Sequence, residues 1–340
     1  MNKKLTLFLS VLIISVSFNN FYGQVKLAQT GLKFLSVSPD ARASAIGDAV
    51  TSLIGNSSSM FYNPAAMSDQ KNYLDATFNM TKWIADINYM HASASIVPSN
   101  GLYGVFGLSI ASVDYGTFHK TRYLKAASGE DSYVDLGTYS PKSMAIGLGY
   151  AKALSDKFSI GGNVKYVYQN LGADHVIDIN SATGKYTTTN FDINVLSFDF
   201  GLLYKTGFKS LNFGMSVRNF SQEIEYIEES FQLPLTFKLG LSMNVFDLFD
   251  FDSKKQKLNV AIDVLHPRDY NEQINIGCEY VFYDILSLRA GYISPTDEQG
   301  ISAGIGLKKE LAGILLGIDY AYLDFGILND VHRFSVNISY

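Results

Sequence analysis

The chain is poor in the residues that staple, break or anchor a protein. It holds one cysteine in 340 residues, so Cys278 can form no internal disulfide. Only seven prolines interrupt it, which suits long extended segments. Beyond residue 23 no apolar run approaches the roughly 20 residues that a spanning helix needs, so the 47% hydrophobic content must be distributed. Basic residues are not in excess, 27 against 32 acidic, and a nucleic acid, which selects basic surfaces, is not an expected partner. The five histidines, His91, His119, His175, His266 and His332, show no metal-ligand spacing and have no cysteine pair beside them. Gly161-Gly162 is followed by no Lys-Ser/Thr pair and opens no helix, so it is not a phosphate loop. No metal, cofactor or catalytic site is expected.

What the chain does hold is 22 Tyr, 23 Phe and 28 Gly, a balance suited to one continuous antiparallel sheet. At its start Lys3 and Lys4 precede an apolar run from Leu5 to about Val16 and a short polar stretch at Asn19 and Asn20. That is the layout of a secretory signal peptide over residues 1–23, cut near Gly23 to leave Gln24 first. Phe21, three residues before the cut, departs from the small-residue preference there. An uncleaved anchor is the alternative, but the run is too short to span. Removing the signal takes away two lysines and no acid, leaving 25 basic residues against 32 acidic, or minus seven.

From about residue 71 onward the period is two, the signature of strands. Met144, Ile146, Leu148 and Tyr150 alternate with small residues; Leu196, Phe198, Phe200, Leu202 and Tyr204 repeat the pattern, as do Leu258, Val260, Ile262 and Val264. The opposite face carries Lys165, Asp199, Lys205, Arg218, Lys238, Asp263, Glu279, Arg289 and Asp319 among Gly, Ser, Asn and Thr. In a soluble sandwich those charges would lie outside. In a transmembrane barrel the assignment inverts, with apolar side chains toward lipid and charges lining the lumen. The signal peptide and strand lengths near the roughly 9 to 11 residues that cross a bilayer at a tilt favour the barrel. So does the last segment, where Phe334, Val336, Ile338 and Tyr340 share one face and Ser335, Asn337 and Ser339 the other. It resembles the terminal insertion strand of Gram-negative outer-membrane barrels, which implies a bacterial outer-membrane location with the barrel-assembly machinery and outer-membrane lipid or lipopolysaccharide as partners.

Loop lengths give an independent test, because such barrels alternate short periplasmic turns with long external loops. Tight joints are expected at Pro98 to Gly101, Leu154 to Lys157, Lys205 to Ser210, Tyr283 to Asp284 and Lys309 to Gly313. Longer ones fall between them, at Ser112 to Pro141, Leu171 to Asp192 and Ser221 to Pro234. The count, including weaker strands near Asn72 to Met80, Ile84 to Val97 and Leu102 to Ala111, is about fourteen. A longer joint at Asp247 to Gln256 falls on the short-turn side and makes that count uncertain by one hairpin.

Residues 24–70 do not alternate. Pro39-Asp40 opens a helix signature that runs through Arg42 and ends at a small-residue turn near Gly47 and Asp48, and Asn63-Pro64-Ala65 begins a second short helix. The stretches FLSVSPDARASAIGDAV and MFYNPAAM resemble the PorV/PorQ family, a branch of the FadL-like outer-membrane proteins. The resemblance is close over about residues 32 to 70 and diffuse beyond. It implies an all-β, 14-stranded barrel over residues 71–340, entered by a small helical plug over residues 24–70. Asp40, Arg42, Gly47, Asp48, Asn63, Pro64 and Ala65 would sit in that plug, positioning it or also touching a ligand. Arg42 and Asp48 would pair there with lumen charges such as Asp199 or Arg218. The resemblance further implies a non-enzymatic role in type IX secretion, binding secretion-system proteins or cargo with a C-terminal sorting domain. The FadL-like alternative is a passive transporter of hydrophobic small molecules.

Three clusters have bland readings beside functional ones. Asp174, His175 and Asp178 in an expected external loop imitate part of a hydrolase triad without an assignable serine. Glu223, Glu225, Glu228 and Glu229 form an acidic run that binds divalent cations or merely keeps a loop hydrated. Trp83, Tyr89, Tyr103, Tyr150, Tyr204 and Tyr292, near strand ends, suit interfacial girdles, although sheet packing selects them too.

Overall fold

The computed structural model describes residues 30–53, 55–125, 131–172, 175–180, 185–189, 191–225, 229–249, 255–297 and 299–340. The expected signal peptide lies outside them. Fourteen antiparallel strands follow one another in chain order around a closed barrel. They are β1 Leu74–Lys82, β2 Asn88–Ile96, β3 Val105–Asp114, β4 Lys142–Ala153, β5 Phe158–Asn170, β6 Asp192–Lys205 and β7 Asn212–Ser221. Then come β8 Thr236–Asn244, β9 Gln256–Pro267, β10 Gln273–Phe282, β11 Leu286–Ser294, β12 Ile301–Leu311, β13 Ile314–Leu323 and β14 Val331–Ser339. Closure joins β1 to β14, from Asp75 opposite Ser339 to Lys82 opposite His332. No edge strand of the barrel is left unpaired, as a bilayer core requires.

The alternation sets the faces. Leu148, Phe200, Phe334, Val336, Ile338 and Tyr340 are exposed on the outer face, where Ile318 is 60% exposed. On the inner face Asp199 is 1% exposed, and Lys165, Lys238, Asp263, Glu279 and Arg289 are buried. An apolar exterior around an ionised interior is the membrane-barrel arrangement.

The side carrying both chain ends has the shorter turns, including the two-residue joint between β12 and β13. Residues 245–255 are the longest connection there, opening with a short 3-10 turn at Val245–Leu248, and the closed strand order fixes the count at fourteen. On the opposite, external side the three long connections hold hairpins rather than irregular loops. Phe118–Lys125 pairs with Asp131–Tyr139, His175–Asn180 with Lys185–Thr189, and Ile224–Glu225 with Ser230–Phe231. They rise from neighbouring strand pairs, β3/β4, β5/β6 and β7/β8. The second strand is shorter than the alternation suggests, because Ala85 and Asp86 adopt left-handed conformations and turn the chain between Trp83 and Ile87.

Residues 30–70 lie within this wall. Asp40 caps α1, Ala41–Ala45, by accepting from the Arg42 and Ala43 amides. The helix ends at Ala45, and the turn after it passes through Gly47, whose positive φ of 62° and close approach to the Tyr292 backbone disfavour a side chain. Asn63 accepts from the Ala65 amide at 3.1 Å and caps a 3-10 helix, Pro64–Asp69. The segment touches all fourteen strands, from Ser57 against Asp75 on β1 to the Ala41 amide donating to Ser335 Oγ on β14. Space for it comes from glycines facing each other on the inner wall. Gly107 opposes Gly149, Gly161 opposes Gly201, Gly214 opposes Gly240, and Gly277 opposes Gly291. A Cβ on Gly161 would stand 2.5 Å from the Ala65 nitrogen. The wall is also less polar than the alternation implies, since Leu32, Phe34 and Leu35 bury against inward Val113, Val167 and Val195. Burying each such side chain contributes about 1.5–3 kcal/mol as an upper estimate.

Candidate functional site

The ionised side chains of the lumen gather into separate groups along its length. Toward the side of the chain ends, Arg42 donates from Nε and Nη2 to both Glu279 oxygens, each at 2.9 Å. Arg289 donates from Nε to Glu279 at 2.8 Å and from Nη1 to Asp319 at 2.6 Å, so two guanidinium groups and two carboxylates form one chain. The Glu279 carboxylate beside it raises the Arg42 guanidinium above its ordinary value, against the opposing effect of burial. This group borders a vestibule of about 490 Å³, also lined by Lys71, Asp75 and Lys308. Lys205 pairs with Asp69 at 2.7 Å.

Toward the external side Lys165 bonds Asp199 at 2.8 Å and Asn219 Oδ1 at 2.6 Å. Asp199 also accepts from the Asn219 amide at 2.8 Å. That arrangement depends on a bulge at Phe198/Phe200, which sets both Arg218 and Asn219 against Asp199. Asp263 accepts from Thr51 Oγ1 at 2.6 Å and its amide at 3.0 Å. Arg218 points toward the Leu35 carbonyl, 3.4 Å away, with its guanidinium 5.9 Å from the Tyr62 ring. It shares with Lys238 a cavity of about 240 Å³.

The pairings differ from those expected for the N-terminal segment. Arg42 is taken by Glu279 rather than Asp199, and Asp199 by Lys165. Asp48 accepts from Ser38 Oγ at 2.5 Å and has no ion-pair partner among the described residues. The reason is placement, because α1 lies against β11 to β14, from where Arg42 reaches Glu279 on β10, and away from β6.

Sequence reasoning missed Arg333, 1% exposed, its guanidinium 5.4 Å from the Trp83 ring. Its signal was the same alternation, since it precedes outward Phe334. Trp83 and Tyr89 are not girdle residues. Tyr89 is buried in the lumen, and Trp83 packs edge-on to Tyr89 and Phe325. Tyr103, Tyr150, Tyr204 and Tyr292 are exposed.

The remaining clusters bring little together. Asp174 and Glu228 lie outside the described residues, as does the His175 side chain. Glu223 accepts from Gln232 at 3.0 Å. His91 is buried against Phe61 and Tyr89, while His332 bonds the Tyr320 hydroxyl at 2.9 Å. Among the described residues no three His, Cys, Asp or Glu side chains converge as a metal site would require. The arrangement can hold a segment of chain inside a barrel and present two ionised mouths.

Solved structures of similar fold include hydrocarbon transporters. The toluene transporter TbuX of Ralstonia pickettii superposes with a TM-score of 0.56 at 12% identity, over 88% of this chain and 97% of that one. The toluene transporter TodX of Pseudomonas putida gives 0.55 at 12%, over 93% and 99%, and the monoaromatic hydrocarbon channel CymD 0.54 at 11%, over 91% and 97%. At such identity the likeness is one of fold. No curated protein sequence matches this one. Residues 133–337 match the family described as type IX secretion system membrane protein PorP/SprF. The chain belongs to the PorP/SprF family of type IX secretion system membrane proteins.

Proposed function

We propose that this outer-membrane barrel works without catalysis, binding protein partners, or cargo with a C-terminal sorting domain, during type IX secretion. In the finer form the role is of the PorV/PorQ type that the N-terminal stretches resemble. Residues 24–70 act as the plug, residues 1–23 as a removed signal peptide, and the outward Phe334, Val336, Ile338 and Tyr340 as the strand presented to the barrel-assembly machinery. The apolar exterior meets outer-membrane lipid and lipopolysaccharide.

The observation that carries this reading is the pairing of an occupied interior with a built-up exterior. Residues 30–70 are fastened to every strand, while three adjacent external connections extend as hairpins. The reading is tested by replacing residues 118–139, or 175–189, with a short Gly-Ser joint. The barrel is expected to insert, while cargo with the sorting domain no longer reaches the surface. Normal display in both variants overturns it.

The second reading, passive passage of hydrophobic small molecules, is favoured by the fold shared with the hydrocarbon transporters. The apolar cluster of Leu32, Phe34 and Leu35 would suit such a solute, but the Lys165–Asp199 ion pair beside it offers a hydrocarbon no favourable contact. It predicts uptake of a hydrocarbon that rises when residues 30–70 are deleted, with secretion unaffected.

A further inference from the structure

The external cavity between the N-terminal segment and strands β7 to β11 is lined by two cations, Arg218 and Lys238, that make no contact ion pair among the described residues. Lys238 is 4% exposed, and among the described residues no hydrogen bond or contact ion pair reaches its ammonium, the Asp48 and Asp263 carboxylates acting on it only at longer range. Arg218 borders the same space with a buried Nε that has no partner and one long bond to the Leu35 carbonyl. A buried cation without a directly bonded partner is costly, and Lys238, with the half-buried Arg218 facing the same cavity, is preorganised for an anion. The third cation on the wall, Lys33, is already committed to Asp269, which Thr30 also bonds. Asp48 is the other carboxylate there, and its Oδ1 is held by Ser38. The remaining lining is uncharged and mixed, with polar Thr236, Gln273 and Asn275 beside apolar Leu265 and Ile293, and the Asn275 Oδ1 is unpartnered.

We propose that this cavity, between Arg218 and Lys238, is a binding site for an oxyanion, a carboxylate or a phosphate monoester carried by a ligand that enters from the external side. The planar guanidinium matches two oxygens of such a group, and the ammonium supplies a point charge beside it. At about 240 Å³ the cavity takes the anionic head of a ligand and excludes a folded domain. This site is independent of the secretion reading, because it asks only what chemistry fits the cavity.

The test uses the full-length protein in detergent, with inorganic phosphate as the probe and ³¹P line broadening as the readout at constant ionic strength. Saturable broadening is expected, weakened about tenfold or more in Lys238→Met and in Arg218→Gln, and unchanged in Lys71→Gln at the opposite mouth. Folding of each variant is checked by heat-modifiable migration. Displacement of phosphate by methyl phosphate and by N-acetylglycine then separates the two sources, the tighter competitor naming the group. Broadening that does not saturate in the wild-type protein, or that persists at full strength in both folded variants, overturns the site.

Discussion

Arg42 and Glu279 meet as a two-pronged ion pair, each prong 2.9 Å, that ties a one-and-a-half-turn helix to the wall of β10. Glu279 is the more buried partner and also serves Arg289. Removing it strands Arg42 and leaves Arg289 with Asp319 alone, whereas removing Arg42 leaves Glu279 still paired. Glu279→Ala is therefore expected to cost about 3–5 kcal/mol, and Arg42→Ala, whose guanidinium is partly solvated, about 1–2 kcal/mol. Urea unfolding in detergent measures both, and equal costs would contradict the shared role of Glu279.

Two neighbouring glycines on β5 should behave oppositely. A Cβ on Gly161 would meet the Pro64–Ala65 backbone, while one on Gly162 would find its nearest atom, the Asp199 carbonyl, at 3.6 Å. Gly161→Ala is expected to destabilise by about 1–3 kcal/mol and to release residues 30–70 to protease. Gly162→Ala should leave the protease pattern unchanged.

Protonation acts on the segment with two signs. Burial, with the Asp319 carboxylate nearby, pushes the Asp40 carboxyl above its ordinary 3.8. Its contribution to stability is thus complete below that value and lost as pH rises through the folded value. At Asp269 burial is outweighed by hydrogen bonds from Lys33 and Thr30, which hold the carboxyl below 3.8. That contribution is present above 3.8 and lost as pH falls through the lowered value. Acidification from neutral should first raise the urea midpoint and then lower it. Asp40→Asn should remove the rise and Asp269→Asn the fall.

Much of this fold could be read from the alternation, because a period of two needs only neighbours in sequence. Lys165, Asp199, Lys238 and Glu279 were placed on the inner face by their outward neighbours alone. The contacts of the candidate site could not be read that way. Asn219 reaches Asp199 through a bulge that a strict period does not foresee, and the partner of Arg42 depends on which strands α1 lies against. Inward Val113, Val167 and Val195 also look like pattern errors until Leu32, Phe34 and Leu35 are seen against them. The hairpins in the external connections were hidden because their short, polar-rich strands, such as Phe118–Lys125 and Lys185–Thr189, carry no regular apolar alternation in sequence.

The outer face should resist charge where the inner face depends on it. Ile318, midway along β13, points outward beside inward Asp319. Ile318→Arg is expected to cost about 2–4 kcal/mol in a bilayer. In detergent folding assays into lipid vesicles, a cost that is absent would place this face in water.

Which face meets lipid can be read from nitroxide labels placed one at a time at Leu316, Gly317, Ile318, Asp319 and Tyr320 in a Cys278→Ser background, with collision rates for oxygen and for a water-soluble nickel chelate. The account predicts oxygen contact at 316, 318 and 320 and, at 317 and 319, which border the water-accessible vestibule, contact with the nickel chelate in preference to oxygen. Uniform accessibility along the strand, or nickel contact at 318, would contradict it.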